Sequence, residues 1–255
     1  MKNLTKPLTI LLCLLSAAAV SAQSFMLRPY YGYYSPRLTD VNNQISDQME
    51  GWQQVLGDPL RSPEKFGGRA LFGGQVQYHL NDDYFLALDV YRYEQSVATE
   101  NTRTTGAIPY RFLFTRSVES LAFVLNLNYY FGYDPGARLN KYVGLGPGLI
   151  IAEAHSNTQL VLLNDAGGKD LQPVDTQGDF SKTAFSLTLL GGLDFRLFGA
   201  VSLWGEAGYQ YAKIGQFEGT VRRAGDQQNV AFTTNTSFDF SGFYFRAGLG
   251  VGSPF

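Results

Sequence analysis

Apolar and polar positions alternate with a period of two along most of the chain. Successive side chains of an extended backbone point to opposite faces, so each such stretch reads as a strand with one apolar face. The last stretch, Gly242 to Phe255, shows the pattern well. Phe243, Phe245, Ala247, Leu249, Val251 and Phe255 share one parity; Tyr244, Arg246, Gly248, Gly250 and Gly252 share the other. The same alternation predicts strands over Phe25–Ser35, Arg69–Leu80, Tyr84–Glu94, Ser120–Phe131, Lys141–Ala152, Thr183–Leu197 and Val201–Ala212, giving eight in all. Helical spacing is clear only once. Val41, Ile45, Met49, Trp52 and Val55/Leu56 recur at three and four. Thr39 or Asp40 is expected to cap that helix and Gly57-Asp58-Pro59 to stop it. Its apolar face needs burial, and packing against the loops or the rim of a barrel is expected.

The connections alternate in length. Short turns follow the second, fourth and sixth strands, at the polar Asn81-Asp82-Asp83, at Tyr133-Asp134-Pro135-Gly136 and at Phe198-Gly199-Ala200. Long segments follow the odd ones: Pro36–Gly68, Gln95–Glu119, His155–Lys182 and Lys213–Ser241. An even strand count with both ends on the short-turn side is the asymmetry of a transmembrane barrel with short periplasmic turns and long outer loops. The predicted fold class is therefore all-β, an eight-stranded antiparallel up-and-down transmembrane barrel.

Composition supports this. The 255 residues include 28 Gly, 16 Tyr and 19 Phe, a mixture that suits strands. Lys2 and Lys6 precede a short apolar run, Leu8 to Leu15, and Val20-Ser21-Ala22 fits a small-residue cleavage site. Residues 1–22 are thus expected to be a cleaved signal peptide, with residues 23–255 as one barrel domain. The single cysteine, Cys13, lies in that leader behind Leu11-Leu12, so neither lipidation nor a disulfide is expected. The chain carries 20 basic and 22 acidic residues; without Lys2 and Lys6 the balance is 18 against 22, or −4. That argues against a nucleic-acid partner, which calls for a basic face. No apolar run is long enough for a membrane-spanning helix.

Two environments fit alternating strands. A soluble exported barrel or sandwich, lipocalin-like, turns its apolar set inward. A barrel in lipid turns it outward and keeps polar groups inside, because lipid offers no hydrogen-bond partners and strands must close on themselves. Aromatics gather at strand ends on the apolar parity (Tyr84, Tyr129, Phe131, Tyr209, Tyr211, Phe243), as interfacial girdles do. The opposite parity is rich in glycine, which suits a narrow lumen. Lipid is the expected cover.

Signal peptide, eight strands, loop rhythm and terminal Phe255 together resemble the small bacterial outer-membrane barrels of the OmpA, OmpX and OmpW type. The resemblance implies a place in the bacterial cell outer membrane, among its lipid and lipopolysaccharide. It also implies recognition of the last strand, through Leu249, Val251 and Phe255, by the barrel-assembly machinery; Ser253 and Pro254 depart from that pattern. An unknown ligand or protein at the outer loops is a further expected partner.

Arg28, Asp89, Glu206 and Arg246 are expected inside, with Gln75, Gln77, Asn126 and Asn128 on the same inward parity. A buried ion needs a partner, and Glu206 and Arg246 lie on neighbouring strands, so they are expected to pair. Such a network would plug the lumen or, less in keeping with so narrow a barrel, gate it. His79 is expected to fill the lumen near the short-turn end. Gly144, Gly146 and Gly148 are not followed by the strand-turn-helix of a nucleotide loop and are expected to make room for bulky neighbours. His155-Ser156-Asn157 resembles the His/Ser pair of PagL-type lipid A deacylases, but adjacent residues face opposite sides of a strand and no acidic orienter is evident. Asn164, Asp165, Asp170, Asp175 and Asp179 lack calcium-loop spacing, and Arg222-Arg223 reads as an exposed dibasic pair more than as a lipopolysaccharide site. No cofactor and no metal are expected. The function expected is non-enzymatic, structural or surface-binding through the outer loops. A narrow conduit for small hydrophobic molecules is the alternative, against which Gln75, Asn126 and Glu206 argue; a lipid A-modifying enzyme is the least favoured.

Overall fold

The computed structural model describes residues 25–104, 109–134, 136–163, 171–223, 229–234 and 236–252. The expected signal peptide with Cys13, the loop residues Asn164, Asp165 and Asp170, and the terminal Ser253, Pro254 and Phe255 lie outside them.

Eight antiparallel strands form a closed ring: β1 (Phe25–Pro36), β2 (Arg69–His79), β3 (Tyr84–Arg103), β4 (Tyr110–Tyr130), β5 (Leu139–Leu162), β6 (Leu171–Phe198), β7 (Val201–Tyr211) and β12 (Gly242–Gly252). Each pairs with the next in sequence, and β12 pairs with both β7 and β1. Closure runs in register from Leu27 opposite Val251 to Tyr34 opposite Tyr244. At one end the hairpins are tight. Asn81 Oδ1 accepts the backbone N–H groups of Asp83 (2.9 Å) and Tyr84 (2.8 Å), and Gly199 takes a left-handed φ of 50°.

At the other end, β3 to β6 run well past the predicted limits. Gln95–Glu119 and His155–Lys182, expected as loops, are largely strand. The alternation continues there with its outward chemistry reversed. On β3 the inward set runs on as Gln95, Val97 and Thr99, all buried, while Arg92, Glu94 and Glu100 face outward. The lipid-type pattern stops at that line, but the hydrogen-bonded ladder does not. The segment after β7 holds β8 (Lys213–Ile214), β9 (Glu218–Arg223), β10 (Val230–Thr233) and β11 (Phe238–Asp239). β9 takes over as the neighbour of upper β6, with Thr176 opposite Arg223.

The outer wall is apolar all round: Tyr31, Phe72, Leu88, Leu125, Leu145, Phe185, Leu203 and Phe245 are exposed, Phe185 to 82%. On β4 the band runs from Leu121 to Phe131, ten residue steps. That is about 33 Å of strand, or roughly 25 Å of height at ordinary barrel tilt, the span of an outer-membrane hydrocarbon layer. Ion pairs mark its upper edge, Arg92 with Glu119 (2.8 Å) and with Glu94 (2.9 Å).

One helix, α1 (Thr39–Leu56), lies over the mouth. Val41, Ile45 and Met49 are buried and Trp52 packs on Phe112 of β4 at 5.3 Å between ring centroids. Gly57 closes the helix in the left-handed conformation, its N–H donating to Gln53 O (2.9 Å). The start differs from expectation. Leu38 is the N-cap and gives no side-chain hydrogen bond; Asp40 sits inside the first turn, where its charge favours the helix dipole, and accepts from Ser237 Oγ at 2.7 Å.

Candidate functional site

Inward parity brings Arg28, Gln75, Asp89, Asn126, Asn128, Glu206 and Arg246 into the lumen, each no more than 5% exposed. Three of them meet. Arg246 of β12 forms ion pairs with Glu206 of β7 and Asp89 of β3. Register explains half of this, because Arg246 stands directly opposite Glu206; Asp89 reaches in from across the barrel. The guanidinium also lies over the rings of Tyr30 (4.8 Å) and Tyr244 (4.9 Å). Tyr30 Oη donates to Asp89 Oδ1 at 2.6 Å and Tyr142 Oη to Glu206 Oε1 at 2.8 Å, which satisfies further carboxylate lone pairs.

Arg28 belongs to a second, lower group. It pairs with Asp194 of β6 and lies 5.3 Å over the Trp204 ring. Asp194 escapes selection from the sequence because parity tells which face a residue takes and not at what height. Below them His79 stacks against Phe85 (5.4 Å) and Tyr130 (5.8 Å), whose rings also touch each other at 4.8 Å. Above, Tyr91 bonds to Gln210, and Tyr34 Oη donates to the Phe240 carbonyl. Large rings fit because facing positions are glycine. A Cβ on Gly192 would fall within the Tyr142 ring, and one on Gly208 within that of Tyr244. Gly144 and Gly146 lie in the same way against the amides of Asn128 and Asn126. Ion pairs and rings thus occupy the lumen at the levels of Arg28, Arg246 and Tyr34.

The expected girdle residues form two groups on the outer wall. Tyr84, Tyr129 and Phe131 are exposed and in ring contact near the short turns. Phe243 and Tyr211 are exposed at the other end, where Tyr209 is half-buried against Phe243 at 4.9 Å. Leu249 and Val251 also face outward.

Above these lumen contacts, the elongated strands and α1 make a cup. The chain from Gly57 to Gly68 is pinned along inner β3: Thr99 Oγ1 donates to Arg61 O (2.7 Å), Tyr93 Oη to Gly67 O (2.9 Å), and Arg103 pairs with Asp58. Asn42 holds Phe66 from the helix side, accepting its N–H at 2.7 Å and donating to its carbonyl at 2.9 Å.

His155 requires a correction. It has an acidic partner after all: Asp179, directly opposite on β6, with Nδ1 and Oδ1 2.7 Å apart. That pair is exposed on the outward parity above the belt, and His155 also borders the cavity that Ser156 lines. Ser117 stands opposite His155 on β4, yet no hydrogen bond joins His155 to a serine among the described residues. Asp175 accepts from Gln159 Nε2 at 3.4 Å, and Arg222 donates to Gln177 Oε1 at 2.7 Å. Among the described residues no cluster of three His, Cys, Asp or Glu could hold a metal ion.

No protein-family model matches the chain, and no curated protein matches it in sequence. Solved structures do. The outer membrane protein OprG of Pseudomonas aeruginosa is 12% identical over 90% of this chain and 95% of its own, with a TM-score of 0.49. A major outer membrane protein of Thermus thermophilus is 11% identical over 89% and 99%, with a TM-score of 0.46. Outer membrane protein W of E. coli is 19% identical over 91% and 98%, with a TM-score of 0.35. Strands closed into a ring, an apolar outer belt and buried charges turned into the lumen at the level of that belt make this chain an integral β-barrel of the outer-membrane type, located in the bacterial outer membrane.

Proposed function

We propose that this is a non-enzymatic, non-conducting outer-membrane barrel that holds a rigid binding cup on the cell surface. Residues 1–22 serve as its cleaved export signal. The girdle tyrosines and phenylalanines seat it at the two interfaces, and Leu249, Val251 and Phe255 supply the assembly signal. The observation that carries the reading is the contrast between the two halves of the interior. Within the belt, Arg246, Asp89, Glu206, Arg28 and Asp194 cross-link the walls and rings fill the gaps. Above it, the walls part into a cup roofed by α1, and cavities open between helix and strands. A molecule crossing the barrel would have to break buried ion pairs, each costing several kcal/mol. A molecule binding at the mouth breaks none.

The conduit reading needs an apolar path through the very level that these charges occupy. The enzymatic reading needs a nucleophile bonded to His155 and donors for a developing oxyanion; the exposed His155–Asp179 pair stands alone in that respect among the described contacts. The test is conductance in planar bilayers together with uptake of an apolar dye into liposomes. A silent bilayer and no uptake above empty liposomes are expected. Stepwise single-channel openings by the folded protein, or rapid dye entry, would overturn the proposal. Lipid A that changes mass with the gene's presence would overturn its non-enzymatic part.

A further inference from the structure

The cup contains a guanidinium that has no paired carboxylate among the described residues. Arg116 of β4 lies on the inward parity, above the membrane belt, and its Nη1 donates to Gln44 Oε1 of α1 at 2.8 Å. Burial lowers its pKa to about 10, the direction expected when charge is desolvated without compensation. Elsewhere inside this protein the opposite rule holds: Arg28, Arg103 and Arg246 each pair with a carboxylate. The exception stands on the wall of a cavity.

That cavity, about 250 Å³, is bounded by Gln44 and Gln48 of α1 and by the inner faces of β4, β5, β6 and β9. Arg223, at the tip of β9, faces it from across the β5–β6 hairpin, and it too has no ion pair among the described residues. Hydroxyls of Ser156 and Thr176, the imidazole-bearing His155 and the rings of Phe180 and Phe232 are also part of the wall. A second cavity of about 410 Å³ shares Gln48 and Thr176 and continues along the helix to Trp52, Val55 and Val174. No Asp or Glu lines either one among the described residues. The groove is therefore cationic at one end and apolar at the other.

We infer that this groove binds a small amphipathic anion, with a carboxylate, sulfonate or phosphate held between Arg116 and Arg223 and a flat or aliphatic body lying toward Trp52. A planar guanidinium suits a two-oxygen acceptor, and a pocket that is mostly apolar with few convergent polar groups is the usual form of a small-molecule site. This deepens the proposal of a surface cup and rests on it.

The experiment uses the full barrel, refolded in lipid nanodiscs and titrated calorimetrically with naphthalene sulfonate and, in parallel, with uncharged naphthalenemethanol. Saturable one-site binding of the sulfonate is expected, with the neutral analogue and the variants Arg116→Gln and Arg223→Gln each at least about tenfold weaker, the loss of one charge-assisted contact. Folding of each variant is verified by its mobility shift on boiling. If Arg116→Gln does not fold, the salt dependence of the unaltered protein reads the same contact: affinity must fall as salt rises. Unchanged affinity in Arg116→Gln, equal binding of the neutral analogue, salt-independent binding, or no saturable binding overturns the inference. A protein that stays non-conducting but ignores the probe fails this inference alone; one that conducts fails the reading beneath it.

Discussion

Arg246 touches two carboxylates and lies over three aromatic rings, those of Tyr30, Trp204 and Tyr244. Removing it strands Asp89 and Glu206 beside each other, so Arg246→Met should cost about 3–5 kcal/mol in denaturant unfolding of the lipid-refolded protein. Neutralising the acids as well, with Glu206→Gln and Asp89→Asn, should recover much of that loss, because no charge is then left unpaired. A single variant as stable as the parent would show the network to be slack. Gly192→Ala tests the same interior by volume. The added methyl meets the Tyr142 ring, and about 1–3 kcal/mol should be lost. Much of this is legible from alternation, which assigns Arg28, Asp89, Glu206 and Arg246 to one face. Pairing is legible only where strands are sequence neighbours, as with Glu206 and Arg246. Asp89 and Asp194 find their partners across the lumen, and no local pattern encodes that distance.

At the scale of elements, α1 shows what periodicity conveys and what it omits. The three-and-four spacing of Val41, Ile45 and Met49 marks the buried face correctly. The start is not legible, since Thr39 and Asp40 are good caps by type yet the chain enters the helix from buried Leu38. Tertiary packing of Leu38 decides the boundary. Ile45→Ala and Met49→Ala should each cost the docked helix about 2–5 kcal/mol. The expected result is faster proteolysis between Thr39 and Phe66 with an unchanged barrel core, seen as a trimmed band that still shifts on boiling. Equal protease resistance would mean that the helix is held by its flanks alone. The elongated hairpins escape the sequence for a related reason. A search for apolar alternation stops at Arg92 and Glu119, where the outward face meets water, although the ladder from Val97 opposite Arg116 to Arg103 opposite Tyr110 continues unbroken.

For the whole molecule, the decisive property is the inversion of polarity between wall and lumen. Leu125 faces outward in the middle of the β4 band. Leu125→Arg should destabilise the lipid-folded barrel by about 2–4 kcal/mol, whereas Ala98→Arg, exposed on the outward face above the charged rim, should be close to neutral. Similar costs at both positions would displace the membrane boundary drawn here. The ring itself is the most legible feature, because turn lengths and strand count constrain it jointly. Its closure has a consequence for how the molecule comes into being. The seam joins the first strand to the last, Tyr34 to Tyr244, and bringing such distant points together costs about 5 kcal/mol of chain entropy by the logarithmic rule. No pairing within a partly synthesised chain repays that cost. Until β12 arrives, β1 and β7 are both open edges able to recruit another chain, so the interval before closure is when this protein is most exposed to aggregation.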